Sequence, residues 1–187
     1  MHMVIRVIVY ADEEEEALSE AKSVLDELCG DGKPFDYYTT FDDKDSPMSG
    51  PGRWGPMAPA SRADSPEGKH LIDEGMSYTK NEFMENISKV REVLGFFSDE
   101  ELFNKEMGEE ASLTLKLKND EDLTRDFNVF GYYCHCLYRN PGADVWLYDQ
   151  DGDAIGDPGH LKNVLNKWDD PKRADKAIFV VPADVHY

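Results

Sequence analysis

The sequence predicts an α+β fold: a mainly antiparallel sheet with helices packed on one face, split-βαβ-like, and a helical insertion. Three features predict it: an opening β-α-β pattern, a run of capped helical segments in the middle, and a final third in which alternating strands lead to a helix and a closing strand. Met3 to Ala11 is short and rich in Val and Ile, as a buried strand is. Asp12 then stands where a helix cap belongs, and Glu13, Glu14, Glu15 and Glu16 crowd the first turn, where the positive end of the helix dipole tolerates them. Ala17, Leu18, Ala21, Val24, Leu25 and Leu28 recur at helical spacing and give the helix one apolar face, with Gly30 as its stop. Phe35 to Phe41 reads as the second strand.

Residues 42–63 change texture. Pro47, Pro51, Pro56 and Pro59 forbid regular structure through most of this Pro/Gly-rich loop, which also holds Arg53 and Trp54. A Trp in such a loop either plugs a core edge or contacts a ligand.

The helical insertion spans 65–108. Ser65-Pro66 makes an N-cap and first-position pair, and Gly75 reads as the end of that helix. Thr79 with Glu82 forms a capping box ahead of Phe83, Ile87, Val90 and Leu94, a stripe expected in the core. Gly95 marks a break, and Ser98 with Glu101 repeats the capping box.

Leu113, Leu115 and Leu117 alternate with polar residues, as in a half-exposed strand. Residues 123–138 fit either a helix face or a strand, and the aromatic density with Gly131 favours the strand. Val145 to Ile155 predicts a hairpin around Asp151-Gly152, Asp157-Pro158 starts a helix with Leu161, Val164, Leu165 and Trp168 facing inward, and Ala177 to Val181 closes the sheet.

The 187 residues are expected to form one domain, 1–187, and 40% apolar content is enough to bury a core. The net charge is -19, and residues 1–50 hold 13 acidic against 4 basic side chains. That field disfavours direct nucleic-acid binding and attachment to an anionic membrane surface. The apolar runs Val4 to Tyr10 and Ala177 to Val181 fall far short of the roughly 18 residues of a membrane span, and no secretory apolar segment precedes Asp12, so a cytoplasmic protein is expected. Met1-His2 ahead of Met3 reads as a cloning remnant, which leaves His2 out of the site. Cys29, Cys134 and Cys136 are an odd count without a disulfide framework and are expected as reduced thiols.

Three constellations invite chemistry. Asp149, Asp151 and Asp153 stand at i, i+2, i+4, but counting from Asp149 a calcium loop would put Ala154 where glycine is needed and His160 where a glutamate is needed, so an acidic hairpin tip is preferred over a weak metal site. Cys134-His135-Cys136 on a strand would split thiols and imidazole between two faces, which favours structural cysteines. Asp184 and His186 share a strand face and offer a carboxylate-oriented base or two metal ligands, against the reading of a solvated chain end. Phosphate loops, nucleophile elbows and zinc-protease helices are missing, and no cofactor is expected. Two functions follow. One is a non-enzymatic interaction or regulatory protein that engages a basic partner through Glu13, Glu14, Glu15, Glu16, Glu20, Arg53 and Trp54, in the extreme as a nucleic-acid mimic. The other is a small metal-assisted hydrolase or phosphoryl-transfer enzyme using Asp149, Asp151, Asp153, His135, His160, Asp184 and His186.

Overall fold

The computed structural model describes residues 1–43, 47–96, 99–100, 115–116, 122–123, 145–167 and 170–187. In chain order the elements are β1 (His2–Ala11), α1 (Glu14–Leu28), β2 (Tyr37–Thr40), α2 (Pro51–Trp54), β3 (Ser61–Arg62), α3 (Pro66–Phe96), β4 (Leu115–Lys116), β5 (Asp122–Leu123), β6 (Leu147–Tyr148), α4 (Pro158–Leu165) and β7 (Ala177–His186). They divide into two compact units, Met1–Lys80 with Pro141–Tyr187, and Asn81–Asn140.

The first unit is built on a five-stranded mixed sheet. Its spine is the antiparallel pair β1–β7, in register from His2 opposite His186 to Ala11 opposite Ala177. On the far edge of β7 lie β2, opposite residues 183–186, and β3, opposite residues 179–180, both antiparallel. β6 pairs with β1 in parallel, Arg6 opposite Leu147. The α+β class therefore holds, on a mixed sheet in which β1–β7, β2–β7 and β3–β7 are antiparallel and β1–β6 is parallel.

A proline in the middle of β7 looks costly, since Pro182 has no N–H to give the ladder. The Arg6 N–H donates to the Trp146 carbonyl at 2.9 Å, so it points away from β7. Arg6 and Pro182 are thus a non-hydrogen-bonded pair, and the missing N–H faces the other edge. There it falls between the end of β2 at Thr40 and the start of β3 at Ser61, where no ladder bond is lost.

Period-two alternation sends β1 and β7 into two cores. Met3, Ile5, Val7, Val9, Phe179, Val181, Ala183 and Val185 pack with Ala17, Ala21, Val24, Leu25 and Leu28 of α1. Ile8, Tyr10 and Val180 pack on the other side with Leu71 and Ile72 of α3, Leu147 of β6 and Val164 of α4. Helices therefore cover both faces rather than one. This is why β1 reads as a nearly continuous apolar run, and each fully buried large side chain contributes roughly 1.5–3 kcal/mol.

Local signals decide the helix ends with mixed success. Ser65 Oγ accepts the Gly68 N–H at 3.0 Å and Asp157 Oδ1 accepts those of Gly159 and His160, so both of these starts are as expected. At α1 the N-cap is Glu13, not Asp12, and the Glu16 carboxylate reaches back to the Asp12 N–H at 2.6 Å. Gly75 does not stop its helix: α3 runs 31 residues through it. A Cβ at Gly75 would stand 2.9 Å from Leu147 Cγ and 3.2 Å from Arg6 Cδ, so glycine here is what lets the helix close on β6 and Arg6. Thr79 likewise sits mid-helix, buried, its Oγ1 accepting the Trp146 N–H at 3.1 Å. A hydroxyl three residues before a glutamate looks the same in sequence whether it caps a helix or ties it to a neighbour.

The second unit contains the end of α3 and the β4–β5 pair, Leu115 opposite Leu123. β4 lies inside the strand expected over 113–117. Of the predicted core stripe, Val90 is buried and Ile87 half-buried, while Phe83 is 45% exposed. Truncating Ile87 to alanine should therefore cost about 1 kcal/mol, below the roughly 2–5 kcal/mol of a buried isoleucine. Chemical denaturation checks this, and a loss above about 2 kcal/mol would place Ile87 in a closed core. Cys134, His135, Cys136 and most of 123–138 lie outside the described residues.

Candidate functional site

The notable side chain of the first unit is an arginine inside the most buried strand. Arg6 is 2% exposed and lies on the same face as Ile8 and Tyr10. A guanidinium cannot shed its charge there, so it needs partners. Nη1 donates to the Val4 carbonyl at 2.5 Å and Nη2 to the Glu74 carboxylate of α3. Burial pulls the pKa of Arg6 down, and Glu74 and then Tyr78 pull it back. Nε has no acceptor. The Tyr78 hydroxyl donates to the other Glu74 oxygen at 3.2 Å, and the guanidinium carbon lies 5.7 Å from the Tyr78 ring centroid.

Over this pair opens a cavity of about 340 Å³. Trp54, Tyr78, Trp146 and Tyr187 give it aromatic walls, Met3, Val4 and Met57 line the rest, and Arg6, Glu74 and His2 are its polar groups. Trp54, in the four-residue α2, is 42% exposed and stands under the Arg53 guanidinium at 5.7 Å. Gly50 precedes α2 with φ +51, and a Cβ there would meet Thr39 Cγ2 at 2.9 Å, so only glycine brings this loop so close to β2.

The loop is held by the buried Asp184. Its Oδ2 accepts the Gly50 N–H at 2.8 Å and its Oδ1 lies 3.0 Å from His2 Nδ1. Asp184 and His186 do share a face, but each takes a different partner, His186 Nδ1 lying 2.8 Å from Asp36. Tyr37 stacks on His186 with centroids 4.9 Å apart. The chain ends at this edge are thus tied into β1 and β7, and His2, set aside on sequence grounds, is part of the structure.

Asp149 makes a separate cluster. It is 2% exposed; Oδ1 accepts the N–H groups of Asp151 and Asp153, and Oδ2 lies 3.2 Å from His160 Nε2. Asp151 pairs with Arg173 at 3.3 Å and Asp153 is exposed. The tight turn expected at Asp151-Gly152 is present, with Ile155 N–H donating to the Leu147 carbonyl at 2.9 Å. Among the described residues, no three His, Cys, Asp or Glu side chains gather as metal ligands. Asp184 faces Val4 while Asp149 follows the residue opposite Val7. Strand rise and spacing put the two clusters roughly 13 Å apart along the strands and about 10 Å across them, so they do not share a pocket.

The remaining sequence candidates scatter. Glu13, Glu14 and Glu15 are exposed on α1, whereas Glu16 pairs with Lys176 and Glu20 accepts from Gln150 Nε2 at 3.0 Å. Cys29 is free and half-buried, and burial with Asp26 and Asp36 nearby pushes its thiol up to about 11, so it stays protonated at neutral pH. A concavity of about 360 Å³ beside β3 and β7 is lined by Arg62, Lys167 and Lys176, each already engaged, by Asp64, the Ala174 carbonyl and Glu16.

Arg6, Glu74, Tyr78, Met57 and Trp146 were not among the sequence candidates. One signal pointed to them: an arginine interrupting an otherwise apolar strand must find a carboxylate, and Glu74 lies next to the glycine that lets the helix approach. No helix among the described residues is long and apolar enough to cross a membrane. In comparisons with known proteins, a family described as a domain of unknown function (DUF7995) matches residues 1–114 and 109–187. No curated protein matches the chain. No solved structure matches it either.

Proposed function

The chain belongs to the DUF7995 family, and on that footing we propose that it is a non-enzymatic interaction domain whose acidic α1 face engages a basic protein partner. One observation carries this reading. Asp12, Glu13, Glu14, Glu15, Asp26 and Glu27 are all exposed along α1, while the helix's one lysine, Lys22, is paired with Asp42 at 2.8 Å. The field of that ridge is unopposed within α1 and adds to a net charge of -19. Such a surface steers a cationic partner into encounter over about one Debye length, roughly 8 Å at physiological salt. Direct binding of nucleic acid is disfavoured by the same field, and in its extreme form the ridge stands in for the phosphates that a basic protein grips.

The test spares Glu16, whose carboxylate holds the Asp12 N–H and Lys176. Replacing Glu13, Glu14 and Glu15 by glutamine should leave the fold intact and slow association with a basic protein captured from native extract by about threefold or more at low salt, with a shallower salt dependence. Stopped-flow or surface-binding kinetics read the rate. An unchanged rate, or an equal loss on neutralising Asp151 and Asp153 instead, would overturn the reading.

A further inference from the structure

We propose that the aromatic cavity over β1 is a binding site for a small, uncharged, planar nitrogen heterocycle that presents a carbonyl or ring-nitrogen acceptor to Arg6. The inference is independent of the acidic ridge. Three observations combine. The cavity of about 340 Å³ has the capacity of a small molecule, at the lower end of ligand sites. Its rim is aromatic and open: Trp54 and Tyr78 are each 42% exposed and Tyr187 38%. Its lining includes Arg6, a buried arginine whose Nε–H has no acceptor among the described residues, a condition that few buried donors tolerate.

Charge selects among possible occupants. An anion gains little, because the charge of Arg6 is already matched by Glu74 and the whole molecule carries -19. A cation meets a guanidinium that already occupies the vicinity of the Tyr78 face. A neutral ring pays neither penalty. It stacks on Trp54 or Tyr78 and can accept from the Arg6 guanidinium, whose terminal nitrogens each carry a second N–H beyond the one given to Val4 or Glu74, while Glu74, its side chain 32% exposed, can take an N–H from the ring. The tilted Tyr78–Trp146 pair, with centroids 5.7 Å apart, backs the wall.

The experiment titrates the full chain with uracil, nicotinamide and adenine, and with benzoate and phenyltrimethylammonium as charged rings of similar size. Tryptophan fluorescence and ligand-observed magnetic resonance report binding. At least one neutral heterocycle should bind at millimolar concentration or below, more tightly than either charged ring. Trp54→Leu should weaken it by roughly tenfold and Trp54→Phe by less, the order expected of stacking. Tyr78→Ala is the second variant, and circular dichroism checks both folds. Binding of none of the three heterocycles, preference for a charged ring, or equal affinity across the Trp54 series would overturn the proposal.

Discussion

Replacing Glu74 with alanine should destabilise the first unit by roughly 2–3 kcal/mol. The variant leaves the guanidinium of Arg6, 2% exposed, without the carboxylate that matches it. Breaking a buried ion pair from one side costs about 3–5 kcal/mol, and the lower figure applies here because the Glu74 side chain is 32% exposed and partly screened. The double replacement Arg6→Met with Glu74→Leu should recover most of the loss, since it removes both charges and keeps apolar volume against Gly75 and Leu147. Urea denaturation of the two variants decides it. A Glu74→Ala loss below about 0.5 kcal/mol would mean that water already screens Arg6, and a double variant no better than the single would mean that the pair is held by geometry rather than by charge matching.

Gly68→Ala is expected to cost about as much, again roughly 2–3 kcal/mol, although alanine is the better helix former by about 1 kcal/mol. Its backbone is ordinary helix, so the cause is space. A Cβ there would lie 2.0 Å from the Arg62 carbonyl oxygen and 2.7 Å from the Arg62 carbonyl carbon. Both are backbone atoms of β3, held by the Ser61–Val180 and Arg62–Phe179 pairing, so the strand or the helix start must move. Gly75→Ala makes the informative contrast, because the atoms met there are side-chain atoms of Leu147 and Arg6 that can yield. Its thermal midpoint should fall less than that of Gly68→Ala. A Gly68→Ala protein as stable as the parent would show that α3 can start elsewhere.

Much of the first unit was legible before folding was considered. β1 announces itself because both of its faces are buried, so Val and Ile fill it without alternation, and α1 because five of its residues at helical spacing enter one core. The turn at Asp151-Gly152 and the starts of α3 and α4 follow from short-range chemistry that acts within four residues. The rest was not local. Gly75 and Thr79 carry the signals of a helix end and a helix start, yet both lie inside α3, because contacts with β6 outweigh a penalty of about 1 kcal/mol for a mid-helix glycine.

The candidate cavity shows the same division more sharply. Sequence alone determined that Arg6 sits in a buried strand, that Trp54 rides on a Pro/Gly loop, and that the acidic charge gathers near α1. It also placed Asp184 and His186 on one face. Only tertiary structure decided that α3 brings Glu74 and Tyr78 over Arg6, that Gly50 and Asp184 fold the loop back so that Trp54 lines the same cavity, and that Asp184 and His186 answer to His2 and Asp36 instead of to each other. The physical reason is the distance along the chain at which each force acts. Periodicity and capping bind residues to neighbours within a turn or a strand and are written in adjacent letters. Charge matching and the demand for hydrogen-bond partners in a buried site act across 68 residues between Arg6 and Glu74 and 134 between Gly50 and Asp184, and no pattern in either segment names the other.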